Sequence, residues 1–343
     1  MYKHFKFLLL LTIICFYISG FSQVIRGTVI DKSSAEAIPF ASIYFSGTTL
    51  GTTSNDKGDF ELSLPKDLSN PLTVSAIGFN SFNLTNYKNL DRLTVSLEPK
   101  KYELPAIEIS GDENKNIRKR FLPIFRKAFL GMKVNAKQCR ILNEGDIMLQ
   151  YDKIEKTLKA FARHPILIQN DQLGYNISYF LDFFEVRTTK QSALISKHSL
   201  FYAGHALFIP IKAKDIKQKE EFEKERDQAY FGSKVHFFKS LWDNNANESG
   251  FKILDSNKKI LTIDKLVHEL QPPEGRTPQK FLVKQDPLVV YFDGFRRKSM
   301  IYIQKDFVFF NSNGNFDTFS LVFGGYWGKE GIADLLPFDY VPD

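Results

Sequence analysis

Cysteine is nearly missing from this 343-residue chain, which has only Cys15 and Cys139. Cys15 lies in an apolar leader that export removes, so Cys139 stands alone and an internal disulfide is excluded. The expected state of Cys139 is a small buried hydrophobe. Histidine is also scarce: beyond the leader there are His164, His198, His205, His236 and His268. His198 and His205 stand seven apart in strand-like sequence, which places them on opposite faces. His268 and Glu269 are adjacent, not spaced to converge on one metal. No H-E-x-x-H, G-x-S-x-G or phosphate-cradling glycine loop occurs. The expectation is therefore no catalytic residue, no metal and no cofactor. Charge of one sign is not dominant either: 46 Lys and Arg against 39 Asp and Glu leave +7, too little to suggest a nucleic-acid partner. Past the leader no window holds ~18 consecutive apolar residues, so no membrane-spanning helix is expected there.

Aromatics, by contrast, are abundant. Thirty-three phenylalanines are spread along the chain and suggest packed strands and sheet faces. Hydrophobic residues at 43% and charged residues at 25% match an ordinary folded protein, and the length allows about two domains. The first residues form an export signal. Lys3 and Lys6 precede the apolar run Phe7 to Ile18, and Gly20-Phe21-Ser22 offers small residues for cleavage before Gln23. A lipoprotein reading through Cys15 is disfavoured by the bulky Ile14 before it.

From Val24 to Pro99 short alternating segments are separated by turn residues. Ile25, Gly27 and Val29 alternate with Val24, Arg26 and Thr28, and Ala41, Ile43 and Phe45 alternate with Ser42, Tyr44 and Ser46. Asn55-Asp56-Lys57-Gly58 carries strong hairpin chemistry before Phe60, Leu62 and Leu64. Further strands are expected at Leu72 to Ala76 and Leu93 to Leu97. Some seven strands predict a small Greek-key sandwich.

Five ordered pieces carry a resemblance: Gly27-x-Val29-x-Asp31, Pro39-Phe40-Ala41-Ser42-Ile43, Gly47-Thr48 with Gly51-Thr52-Thr53, Asn55-x-x-Gly58-x-Phe60, and Val74-Ser75-x-Ile77-Gly78-Phe79. Together they resemble the carboxypeptidase-regulatory-like domain, a transthyretin-like sandwich. The resemblance covers about a quarter of the chain. It implies an envelope setting and an accessory role, since such domains accompany metallopeptidases and outer-membrane TonB-dependent receptors alike. In the peptidases the sandwich follows the catalytic domain, whereas here it comes first.

The expected organisation is a signal peptide at 1–22, the sandwich at 23–99, a linker at 100–113 and a mainly β second domain at 114–343. From Asn114 to Arg140 there are nine Lys or Arg and no acid. A helix is expected from about Lys115 to Met132, kinked or restarted at Pro123. Ile117, Phe121, Phe125 and Phe129 form its apolar stripe. Lys115, Arg118, Lys119 and Arg120 are candidates for contact with an anionic surface, or simply a solvated face. Strands are expected at Tyr175–Arg187, Ser199–Ile211, Phe281–Phe292, Met300–Phe310 and Thr318–Tyr326. A charged helix is expected at Lys214–Arg226, with Lys217 and Glu221 spaced for an i,i+4 pair.

Three blocks of the second domain resemble a poorly characterised family of exported proteins with the same N-terminal sandwich: Leu173-Gly174-Tyr175, Arg226-x-x-Ala229-Tyr230-x-Gly232-Ser233, and Leu335-Leu336-Pro337-x-Asp339-Tyr340. That resemblance implies no activity. Arg226, Tyr230, Trp242, Tyr326 and Trp327 are the candidate ligand-binding residues, able to grip a glycan or peptide unless they fill a core. The fold class expected is mainly β with some α. The expected function is a non-catalytic binding or scaffolding role in cell-surface assembly or uptake, in the periplasm or at the outer membrane, with an envelope protein, peptide or glycan as partner. A hydrolase with an accessory sandwich and a small outer-membrane barrel are the alternatives.

Overall fold

The computed structural model describes residues 23–65, 68, 70–87, 90, 92–100, 111–188, 195–270, 279–284 and 287–342. The segment expected as an export signal, 1–22, lies outside the described residues. Seven strands build the N-terminal unit: β1 (Gln23–Asp31), β2 (Ser42–Phe45), β3 (Gly51–Thr53), β4 (Asp59–Leu64), β5 (Leu72–Ser75), β6 (Phe82–Leu84) and β7 (Arg92–Leu97). They form two sheets, β4-β1-β7 and β3-β2-β5-β6, so the Greek-key sandwich is observed. Ile25 and Val29 point into the core while Arg26 is exposed, as period two requires. The hairpin before β4 closes as its residues dictate: Gly58 has φ 76, and the Asn55 side-chain oxygen accepts the N–H groups of Lys57 and Asp59 at 2.9 and 3.0 Å.

Helix α1 (Gly111–Leu130) follows. It begins earlier than its basic run suggests and continues through Pro123 without a break. Pro123 is exposed, so a carbonyl freed of its partner there can meet water. Meanwhile Phe121, Phe125 and Phe129 are buried against the next sheet, and that burial outweighs the lost hydrogen bond. The sheet comprises β8 (Cys139–Ile141), β9 (Ile147–Asp152), β10 (Thr157–Ala162), β11 (Ile166–Asn170), β12 (Tyr175–Thr188) and β13 (Ile195–Pro210). β12 pairs with β11 and β10 along one edge and with β13 along the other. Aromatic rings join helix to sheet, with Phe121 4.1 Å from Tyr151 and Phe125 4.8 Å from Phe184.

Two helices come next. α2 (Ile216–Tyr230) is capped by Asp215, whose carboxylate accepts the Gln218 N–H at 2.8 Å. Its i,i+4 ion pair joins Lys219 to Glu223 at 3.5 Å. α3 (Lys234–Trp242) is capped by Ser233. The remaining strands are β14 (Phe251–Leu254), β15 (Val267–Leu270), β16 (Gln279–Val283), β17 (Leu288–Phe292), β18 (Arg297–Ile303), β19 (Phe307–Phe310) and β20 (Leu321–Gly325). They form two sheets, β14-β17-β18-β20 and β15-β16-β19. The stretch Phe281–Phe292, read as one strand, is therefore two strands in different sheets, and so is Met300–Phe310. The breaks fall at Lys284 and at Lys305-Asp306, where charge interrupts the apolar alternation and the Lys284 N–H bonds the Asp306 carbonyl at 2.9 Å. Thr318–Ser320 is a 3-10 turn rather than the start of β20. Among the described residues none of the five sheets closes into a barrel.

The sandwich is stitched to the second sheet system by backbone. Thr48 and Leu207 form a parallel bridge; the Gly47 N–H donates to the Ala206 carbonyl at 2.8 Å and Phe208 N–H to Thr48 at 3.1 Å. The chain end joins the same point: Phe338 N–H donates to the Gly47 carbonyl at 2.7 Å, and the Asp339 carboxylate accepts the Thr49 N–H at 3.0 Å and its hydroxyl. Gly47 has φ +75, and a Cβ there would lie 2.5 Å from the Phe338 ring. Gly47→Ala should therefore lower unfolding free energy by about 1–3 kcal/mol in a urea titration, and unchanged stability would show that the junction tolerates a side chain.

A cavity where three sheets meet

The stitching leaves a cavity of about 1000 Å³. Its walls come from β13 (Leu200 to Ala206, with Phe208), from β18 and β20, from the end of α1, and from the Ser46-Gly47 corner of the sandwich. Such junctions between separately packed units are where small-molecule sites form. The walls are largely aliphatic and aromatic, including Leu200, Phe208, Leu321, Phe323, Tyr326 and Trp327. Burial holds the phenols of Tyr179 and Tyr202, also on the wall, well above their usual range, so both remain neutral hydrogen-bond donors.

The one carboxylate lining the cavity among the described residues is Glu330. Its side chain is 4% exposed and is held between two ammonium groups, Lys133 at 2.8 Å and Lys234 at 3.4 Å. Lys133 also stands 3.6 Å from the Tyr326 ring centre and Lys234 5.0 Å from Phe323, so both cations rest on aromatic faces of the wall. Asp334 lies beside this group, accepting from Asn135 Nδ2 at 3.1 Å and from the Gly331 N–H at 3.2 Å. Burial pushes its carboxyl up to about 6, with Lys133 opposing the shift. Behind the Trp327 wall, the indole N–H donates to the Gly232 carbonyl at 2.8 Å and the Gly232 N–H donates to His236 Nδ1 at 3.1 Å. Burial pushes the His236 imidazole down to about 4, so it stays neutral and keeps that acceptor.

Of the five residues singled out in the sequence, Tyr326 and Trp327 line this cavity, and the other three lie elsewhere. Arg226 donates from Nε to the Leu173 carbonyl at 2.8 Å and from its terminal nitrogen to Gly174 at 3.1 Å, and its guanidinium covers the Tyr175 ring at 4.2 Å. Tyr230 is buried between His236 and Tyr340, with ring centres 5.0 and 6.0 Å away. Trp242 packs near Phe310, and its carbonyl accepts from Lys280 Nζ at 2.6 Å. The three sequence blocks Leu173–Tyr175, Arg226–Ser233 and Leu335–Tyr340 thus meet in space: Arg226 ties Leu173-Gly174-Tyr175 to α2, and Tyr340 donates to Asp227 at 2.7 Å. That seam is packing. Sequence reading missed Lys133, Lys234, Glu330 and Asp334, because nothing local marks residues that far apart as one charge cluster.

On α1, Arg118 donates to the Ile147 carbonyl at 2.7 Å and also to that of Glu144, while Lys119 and Arg120 are exposed. Cys139 is buried and its thiol is pushed up to about 12 by that burial, with Asp334 and Asp171 adding to the shift, which makes it unreactive. Among the described residues no group of three or more His, Cys, Asp or Glu is arranged to hold a metal ion. No described helix is long and apolar enough to cross a membrane, which leaves strands aside.

Removing the central acid should be costly. Glu330→Gln leaves two poorly hydrated lysines without their partner, and chemical denaturation should show a loss of about 3 kcal/mol; a loss below the resolution of the titration would mean that water replaces the carboxylate. Asp334 gives a pH signature. Its folded value of about 6 exceeds the unfolded 3.8, so the folded state binds the extra proton between those values and wild-type stability rises as pH falls through that window. Asp334→Asn mimics the protonated form. Its stability relative to wild type should climb by about 3 kcal/mol from pH 3.8 to 6 and level off above, as read from urea midpoints. A pH-independent difference would contradict the burial assigned to this carboxyl.

Three comparisons bear on kinship. No curated protein matches the chain. A crystal structure of a protein of unknown function from Bacteroides fragilis NCTC 9343, provisionally described as membrane-associated, aligns over 88% of this chain and 94% of its own at 10% identity. The TM-score is 0.19, and at that score the likeness carries no argument. The sequence model of the CarboxypepD_reg-like domain matches residues 25–109, in agreement with the seven-stranded sandwich. Residues 25–109 of this chain are a CarboxypepD_reg-like domain.

Proposed function

We propose that this chain is an exported, envelope-associated protein that holds a ligand in the cavity between its sheets, without chemistry on it, in the service of cell-surface assembly or uptake. The apolar leader with its cleavage signal and the CarboxypepD_reg-like domain support the setting. One observation carries the binding role: a cavity of about 1000 Å³ walled by aromatic and aliphatic side chains from three sheets, at the upper end of the roughly 300–1,000 Å³ typical of small-molecule sites. Its carboxylate, Glu330, is already held by two lysines, at 2.8 and 3.4 Å. A binding role also accounts for the rigid backing of Trp327, whose N–H is used on Gly232 and not offered to the cavity.

The two tryptophans make a direct test convenient. Trp242→Phe leaves Trp327, on the cavity wall, as the sole indole reporter. Titration with the neutral apolar dye N-phenyl-1-naphthylamine should give saturable energy transfer from Trp327 with one dye bound per chain. Ala203→Phe, which adds a ring to the wall, should abolish uptake while leaving circular dichroism unchanged. Dye that fails to saturate, or that binds equally well to the filled variant, removes the cavity from consideration as a site.

A further inference from the structure

The charges around the cavity point to the class of ligand. Six cations line it, Lys127, Lys234, Arg296, Arg297, Lys298 and Lys329, against the single carboxylate Glu330. Several are already engaged. Lys234 shares Glu330 with Lys133; Arg296 faces Asp293 at 3.7 Å; Arg297 donates to the Phe231 carbonyl at 2.7 Å and stacks on Tyr326; Lys298 stands 5.8 Å from the Tyr291 ring. Lys127 and Lys329 have no ion-pair partner among the described residues, and both are exposed. The backbone brings them to one end of the cavity. Lys127 lies one helical turn before Gly131, Gly131 bridges Glu330, and the Met132 N–H donates to the Lys329 carbonyl at 2.8 Å. Elsewhere the wall is mainly apolar, with Leu200, Ala206, Phe208, Met300 and Leu321 beside the polar His205, Asn315 and Thr318.

An apolar cavity with unpaired positive charge at one end has the chemistry of an amphiphile's binding site. Apolar burial would hold the tail, while a carboxylate or phosphate would find two ammonium groups with no competing acid of their own. A neutral glycan would leave those charges unused. We propose that the cavity takes an anionic amphiphile, an acyl or similar apolar chain bearing one carboxylate or phosphate, with its headgroup between Lys127 and Lys329. This rests on the reading of the cavity as a binding site given above. Lys127 also suits the negative end of α1, so a purely structural role for it must be separated by experiment.

The test displaces the dye from full-length mature protein carrying Trp242→Phe with four ten-carbon probes: decanoate, decyl phosphate, decanol and decyltrimethylammonium. Decanoate and decyl phosphate should compete at least roughly tenfold better than decanol, and the cationic probe should compete worst. The order of the two anions tells a fatty-acid headgroup from a phosphate one. Lys127→Gln combined with Lys329→Gln should weaken both anions about tenfold and shift neither dye affinity nor melting temperature. A structural role alone would move the melting temperature and leave the anion preference intact. If the dye enters but charge does not rank the probes, or an oligosaccharide or peptide displaces it better than either anion, this inference fails and the cavity reading survives. If the dye does not enter, both fall.

Discussion

The architecture turns on one long strand that needs its polar backbone satisfied. β13 lies against β12 along most of its length, which leaves its other edge with unpaired N–H and C=O groups. The Gly47-Thr48 corner of the sandwich supplies partners at Ala206, Leu207 and Phe208, and the chain end returns through Phe338 and Asp339 to the same corner. Covering that edge binds the N-terminal unit to the rest by backbone bonds, which are indifferent to side-chain identity apart from the glycine that lets Phe338 approach. The cover is partial, and the uncovered face of β13 becomes the floor of the cavity.

The second constraint is electrostatic. Burying Glu330 would be prohibitive alone and is tolerable only with Lys133 and Lys234 at its oxygens. Those lysines in turn need Tyr326 and Phe323 beneath them. Asp334, raised by the same burial, is the group that reports on the environment through pH. Charge cluster and aromatic wall are therefore one construction, and Tyr326 belongs to both. Lys127 and Lys329 are cavity cations that have no ion-pair partner among the described residues.

Much of the sandwich was legible in the chain because strand alternation and turn chemistry act over a few residues. Asn55 to Gly58 makes its hairpin wherever it is placed, and Ile25 and Val29 face inward by period two. The second part was legible less well. Phe281–Phe292 has the composition of one strand, yet β16 and β17 join different sheets, a choice that depends on partners far along the chain. The stripe on α1 was plain, but its persistence past Pro123 reflects what Phe121, Phe125 and Phe129 bury, which no local rule supplies. Arg226 and Tyr230 stood out as motif residues, and the structure places them at a packing seam with Leu173, Gly174 and Tyr340.

Local physics written in the residues determined the β-rich composition and the seven-strand sandwich, because each rests on contacts between near neighbours. Tertiary structure decided the cavity, the Lys133–Glu330–Lys234 clamp and the backbone contact of Gly131-Met132 with Lys329-Glu330. Those features join residues some two hundred positions apart, which the bridge between Gly131 and Glu330 brings within reach of one another.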